Sequence, residues 1–131
     1  MFIASTNVIN QKQIYEFAIM NNKQIGNLGE IYAADYFKKY GYIILAKNYT
    51  TKYGEIDLIV RQQKMIIFVE VKTRKNDFFG TAGQAVNHKK QQKIIHTAQL
   101  YIAQHQNPSI SYRFDIIEIY YSFFDQYRLN H

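Results

Sequence analysis

Asp57, Glu70 and Lys72 are the residues of this sequence whose types and spacing could do chemistry. Residues 54–61, Gly-Glu-Ile-Asp-Leu-Ile-Val-Arg, alternate as a strand does. Residues 65–73, Met-Ile-Ile-Phe-Val-Glu-Val-Lys-Thr, are the most β-prone stretch of the chain. Gln62-Gln63-Lys64 between them suits a tight hairpin. Side chains two apart on a strand share a face, about 6.5 Å from one another. Glu55 therefore shares a face with Asp57, and Glu70 with Lys72. A register that sets Asp57 opposite Glu70 gathers two carboxylates and an ammonium on one patch. Unpaired charge in apolar strands costs on the order of several kcal/mol unless a counter-charge or a metal offsets it. Two arrangements meet that need. In one, the hard oxygens hold Mg²⁺ or Mn²⁺, and Lys72 orients or deprotonates an attacking water. In the other, Glu70 pairs with Lys72, and Asp57 with a lysine, on a solvated sheet face.

The elements that must position these groups follow from periodicity. Residues 8–21 are weakly helical. Residues 24–40 read as a helix bounded by Gly41, on which Glu30, Ala33, Ala34 and Phe37 fall on one face. Glu30 is thus an acid on an apolar face. Residues 42–49 predict a strand, and 83–106 a long helix ended by Asn107-Pro108-Ser109. Residues 112–121 predict another strand, and a short last strand is expected near 122–128. Two consecutive hairpins followed by a helical crossover imply an α/β fold, a mixed sheet with helices packed on it. The expected organisation is an N-terminal arm or helix over 1–23 and a single domain over 24–131.

Composition bounds the function. The chain has 131 residues, which suits one domain with its own core. It has no cysteine, which excludes disulfides, zinc fingers, iron–sulfur sites and a thiol nucleophile. No apolar run approaches the roughly 20 residues that span a bilayer, so no membrane partner is expected. The start, Met1-Phe2-Ile3-Ala4-Ser5-Thr6-Asn7, lacks a basic n-region and a long apolar stretch, and a cytoplasmic location is the default expectation. Sixteen Lys and Arg against ten Asp and Glu give a net charge of +6. Such a balance favours phosphate partners, nucleic acid above all. Twelve of the sixteen cations are lysine, which base composition alone can also produce.

The string Asp57-(twelve residues)-Glu70-Val71-Lys72 resembles the D…(D/E)-x-K signature of the restriction-endonuclease-like nuclease superfamily. A wider set of blocks resembles the YraN-like family of small bacterial predicted endonucleases. The first blocks are Gly26-Asn27-Leu28-Gly29-Glu30 with Ala33-Ala34, Gly41-Tyr42 and Asn48. Gly54-Glu55-Ile56-Asp57-Leu58-Ile59 and Phe68-Val69-Glu70-Val71-Lys72-Thr73-Arg74 follow. The later blocks are Gly80, Ala85-Val86, Lys90, Ala98 and Arg113-Phe114-Asp115. The likeness runs from about residue 26 to 120. It implies a restriction-endonuclease-like mixed β-sheet flanked by α-helices, similar to that of archaeal Holliday-junction resolvases. It further implies Asp57 and Glu70 as ligands of Mg²⁺ or Mn²⁺, with the Val71 carbonyl as a third. Lys72 would be the catalytic lysine, and Glu30 the helix-borne acid that completes the site. Glu55 would be a ligand or a neighbour that orders cations. The implied activity is hydrolysis of phosphodiester bonds in DNA, branched or otherwise structured DNA included, by an enzyme that cuts as a homodimer.

Other residues stand at the margin of that reading. Gln84 could reach the site from the start of the long helix. Arg74 and Lys75 could hold a phosphate, as could Lys89 and Lys90 on the helix, although solvated charge explains all four equally. Arg113 and Asp115 alternate on a strand and suit a mutual structural pair. His88, His96 and His105 are spaced by eight and nine residues, which is no metal-ligand spacing. Two rival functions remain: a nucleic-acid-binding module with the same fold but no turnover, and an interaction protein whose acidic face meets a basic partner. The nuclease reading requires the carboxylates of Glu30, Asp57 and Glu70 to converge, with Lys72 beside them.

Overall fold

The structure is a computed structural model that describes residues 2–4, 10–74, 88–121 and 126–131. Its elements run β1 (Phe2–Ala4), α1 (Gln11–Ala18), α2 (Asn22–Lys39), β2 (Ile43–Thr51) and β3 (Gly54–Gln62). They continue with β4 (Met65–Arg74), α3 (His88–Gln104), β5 (Ser111–Tyr121) and β6 (Gln126–Asn130). The six strands form one sheet in the order β1-β6-β5-β4-β3-β2. The β4–β5 pair is parallel and every other pair antiparallel, so the sheet is mixed. The fold class is the expected one: α/β, a mixed sheet flanked by helices, consistent with a restriction-endonuclease-like fold.

Period-2 alternation on the central strand divides the core in two. Ile67 and Val69 of β4 pack with Ala33, Ala34 and Phe37 of α2. Ile66 and Phe68 of the same strand pack with Ala98 and Tyr101 of α3. The helices therefore cover opposite faces. The apolar run of β4 is what a strand buried on both sides needs.

Element ends have local causes. Asn21 caps α2: its Oδ1 accepts from the Gln24 N–H at 2.9 Å, and the Gln24 Oε1 accepts from the Asn21 N–H at 2.9 Å. This reciprocal cap separates α1 from α2, where the sequence suggests one weak helix over 8–21. The α2 terminus turns at Gly41, whose φ of +84° suits a residue without Cβ. The β3–β4 hairpin closes through Gln63 and Lys64, with Gln62 paired to Met65. The last strand lies at Gln126–Asn130, a few residues beyond its expected place, and Phe2–Ala4 pairs with it as the far edge. Strand pairing thus draws residues 2–4 of the expected arm into the sheet. Lys75, Gln84 and the first turn of the expected 83–106 helix lie outside the described residues.

One close approach sets the position of α2. A Cβ on Gly29 would stand 1.7 Å from Thr73 Oγ1 and 2.8 Å from Thr73 Cβ on β4. Only glycine lets the helix press this closely on the strand, one residue before Glu30. Gly29→Ala is expected to lower stability by about 1–3 kcal/mol, read from the midpoint of urea denaturation.

Candidate active site

The site forms where the β3–β4 ladder stops. The last registered pair is Leu58 with Val69, so Asp57 and Glu70 occupy the next opposed positions. The backbone N–H of Val71 donates to Asp57 Oδ2 at 2.8 Å, placing the carboxylate between the strands. Glu70 lies close enough to Asp57 for its charge to raise the Asp57 pKa. Both are buried, at 8% and 9% exposure. The strand alternation breaks here as well: Ile56 and Ile59 pack on the α3 side, while Leu58 and Val60 pack on the α2 side. Asn48, which follows the partner of Leu58 on β2, has a φ of +51°. The irregularity in both strands turns Asp57 toward α2 and leaves Glu70 toward α3.

Each flanking helix adds one charged group. Glu30 of α2 shares with Asp57 a cavity of about 200 Å³ that is also lined by Asn27, Ile31, Lys47 and Leu58. The Asn48 side chain lies near enough to lower the Glu30 pKa against the effect of burial. From α3, Lys90 Nζ forms an ion pair with Glu70 Oε1. Lys90 is thus a counter-ion of the acid pair, where the sequence placed it among phosphate-binding lysines. Lys72 is half-buried two residues beyond Glu70, in register with Glu118 of β5. Glu55 is exposed and lies close enough to Glu30 to repel it. Arg74 is exposed at the end of β4, and Lys89 is exposed on α3. Arg113 and Asp115 form the expected mutual pair, at 2.7 and 2.8 Å.

The structure therefore sets Asp57 beside Glu70 and Lys90 on Glu70, with Glu30 across a small cavity from Asp57, so the expected convergence of three carboxylates with Lys72 is reduced to the Asp57–Glu70 pair. Among the described residues, no group of three His, Asp or Glu side chains is placed to hold one ion. The pair itself fits a divalent cation. It offers hard carboxylate oxygens at a buried point of concentrated negative charge, and Mg²⁺ commonly takes one or two carboxylates and completes its shell with water and substrate phosphate. Asn48 and Lys47 are contributors that strand periodicity does not single out; Asn48 stands among the blocks of the family resemblance, and Lys47 carries only its register beside Leu58.

The electrostatics follow from burial. Desolvation, then repulsion from Glu70, raises the Asp57 pKa from 3.8 to about 7, against the Val71 hydrogen bond that lowers it. Desolvation also raises the Glu30 pKa, opposed by the Asn48 side chain and reinforced by Glu55 and Glu70.

A mixed α/β sheet with a buried acid pair at the end of a central ladder defines a class of site rather than one protein. The comparisons narrow it. Residues 29–119 match the uncharacterised protein family UPF0102. A UPF0102 protein of Caldanaerobacter subterraneus subsp. tengcongensis is 50% identical over 101 residues, covering 77% of this chain and 83% of that protein. One from Clostridium botulinum (strain 657 / Type Ba4) is 48% identical over 99 residues, covering 75% and 80%. A third, from Vibrio parahaemolyticus, is 47% identical over 103 residues, covering 78% and 85%. The chain belongs to the UPF0102 family.

The raised Asp57 pKa has a consequence for stability. Between pH 3.8 and about 7 the folded state binds a proton that the unfolded state has released. That contribution is complete below the ordinary aspartate value and is lost as pH rises through about 7. The metal-free protein should lose melting temperature over this window. Asp57→Asn should flatten the profile and melt above the wild type at its alkaline end, as calorimetry across pH would show.

Proposed function

We propose that the protein is a metal-dependent endonuclease of the restriction-endonuclease-like superfamily, similar to Holliday-junction resolvases and acting on DNA. The observation that carries this reading is the contact between Asp57 and Glu70 on adjacent central strands, with Lys72 two residues on. In this reading Asp57 and Glu70 hold Mg²⁺ or Mn²⁺, with the Val71 carbonyl as a further donor. The cation, when bound, supplies charge neutralisation at the scissile phosphate and acidifies a water.

The chain's own residues do the rest. Lys72 faces the same side of β4 as Glu70, where its ammonium can orient the water or, as the neutral amine, take its proton. Glu30 accepts a proton from solvent or positions a second water across the cavity. Lys90, when released from Glu70, would be placed to bind a phosphate oxygen. Burial of the acid pair limits solvent at the reacting phosphate and strengthens each of these interactions. Cytoplasmic DNA is the matching substrate, and a homodimer would cut both strands of a junction. Among the described residues no helix is long and apolar enough to cross a membrane.

A second reading has one observation in its favour. Lys90 already neutralises Glu70, and among the described residues no third acid joins the pair. That arrangement also suits a nucleic-acid-binding module that holds phosphate without cutting it.

Cleavage assays separate the two. Purified protein with Mn²⁺ should cut at least one of linear, nicked, flapped or four-way DNA. Asp57→Asn and Glu70→Gln preserve volume but remove an anionic ligand, and each should slow single-turnover cleavage by on the order of a hundredfold or more. Lys72→Ala should slow cleavage while leaving Mn²⁺ binding in place. Binding of the same DNA in Ca²⁺ with no cleavage in Mg²⁺ or Mn²⁺, wild type and variants alike, would favour the module.

A further inference from the structure

The tip of the β2–β3 hairpin carries Lys52 and Tyr53, a basic and an aromatic residue side by side in the turn. Tyr53 is 41% exposed. The surroundings hold its ring in place. Lys52 Nζ sits 5.2 Å from the ring centroid, and the His96 ring of α3 meets it edge-on, at 5.5 Å between centroids and 65° between planes. The α3 backbone lies against this turn: a Cβ on Gly54 would come within 3.4 Å of Lys93 Cβ. Lys89, Lys93 and His96 are spaced i, i+4, i+7, so they share one exposed face of α3. Lys89 lies one residue from Lys90, which binds Glu70. A basic track thus runs from the acid pair along α3 to an exposed ring at the hairpin tip.

We infer that this surface is a binding site for unpaired nucleotides, with Tyr53 as a stacking platform and Lys52, Lys89 and Lys93 on the phosphates. The chemistry is that of single-strand recognition: aromatic faces accept any base, and lysines follow the backbone. Paired bases present no open face to a protruding ring, so the platform favours gaps, flaps, junction centres and single strands over intact duplex. As an account of substrate choice, this rests on the nuclease reading, because the track leads to Asp57 and Glu70. As a binding surface it stands without catalysis.

The test is binding of fluorescent oligothymidine, oligouridine and a blunt duplex in EDTA, where no divalent cation permits cleavage. Tyr53→Ala should weaken single-strand binding by about 5- to 100-fold and leave duplex binding within about twofold. Tyr53→Phe should retain single-strand binding, because it keeps the π face. Lys52→Ala with Lys93→Ala should weaken both substrates and flatten the dependence of affinity on salt. Matching melting curves would establish that each variant folds. Wild-type binding by Tyr53→Ala, an equal loss on duplex, or no single-strand binding by the wild type would overturn the proposal. Cleavage of duplex unaffected by Tyr53→Ala, with single-strand binding also unaffected, would sink this surface and leave the nuclease reading. The expected binding pattern from a protein that cuts nothing would uphold the surface and sink the nuclease.

Discussion

Two carboxylates in contact inside an apolar sheet are the constraint on which the rest depends. Asp57 and Glu70 repel each other and lose most of their hydration, a combination proteins tolerate only where something offsets it. Here the offset has three sources: the Val71 N–H at Asp57, the Lys90 ammonium at Glu70, and a proton that Asp57 retains to about pH 7. Two of these, the Lys90 ammonium and the proton, are positive charges that a bound cation could replace. Under the proposed function, a divalent ion would displace Lys90 and the proton from the pair.

The architecture serves that arrangement. The acid pair lies at the end of the β3–β4 ladder, where strands are still rigid but no longer matched bond for bond. The two faces of β4 supply different partners. From one face, α2 brings Glu30 close because Gly29 lets the helix touch Thr73. From the other, α3 brings Lys90 to Glu70 and packs Ala98 and Tyr101 into the second core. A sheet with only one covered face would leave one carboxylate in water and remove the electrostatic tension.

The strands and the hairpin were legible in the sequence, because period-2 alternation and a short polar connection determine them locally. The opposition of Asp57 and Glu70 follows from the same logic, once the hairpin closes through Gln63 and Lys64. What remained hidden depends on tertiary approach or on broken periodicity. Lys90 reads as a solvated helix lysine until the crossing of α3 over the sheet brings it to Glu70. Asn48 works through a positive φ, and Lys47 through a cavity formed by three elements; neither leaves a periodic trace. Three-residue β1 is too short to show alternation, and its pairing with β6 joins opposite ends of the chain. The Asn21 cap was not singled out in the sequence, although an amide three residues before Gln24 has the spacing of a helix cap.

Direct titration with Mn²⁺, followed by electron paramagnetic resonance of the unbound ion, addresses the central claim without assuming any substrate. A saturable site in the wild-type protein, lost in Asp57→Asn and tightened in Lys90→Met, is the expected result, because the first removes a ligand and the second removes the competing ammonium. Equal Mn²⁺ uptake by wild type and Asp57→Asn, or none by either, would contradict the assignment of the acid pair as a cation site.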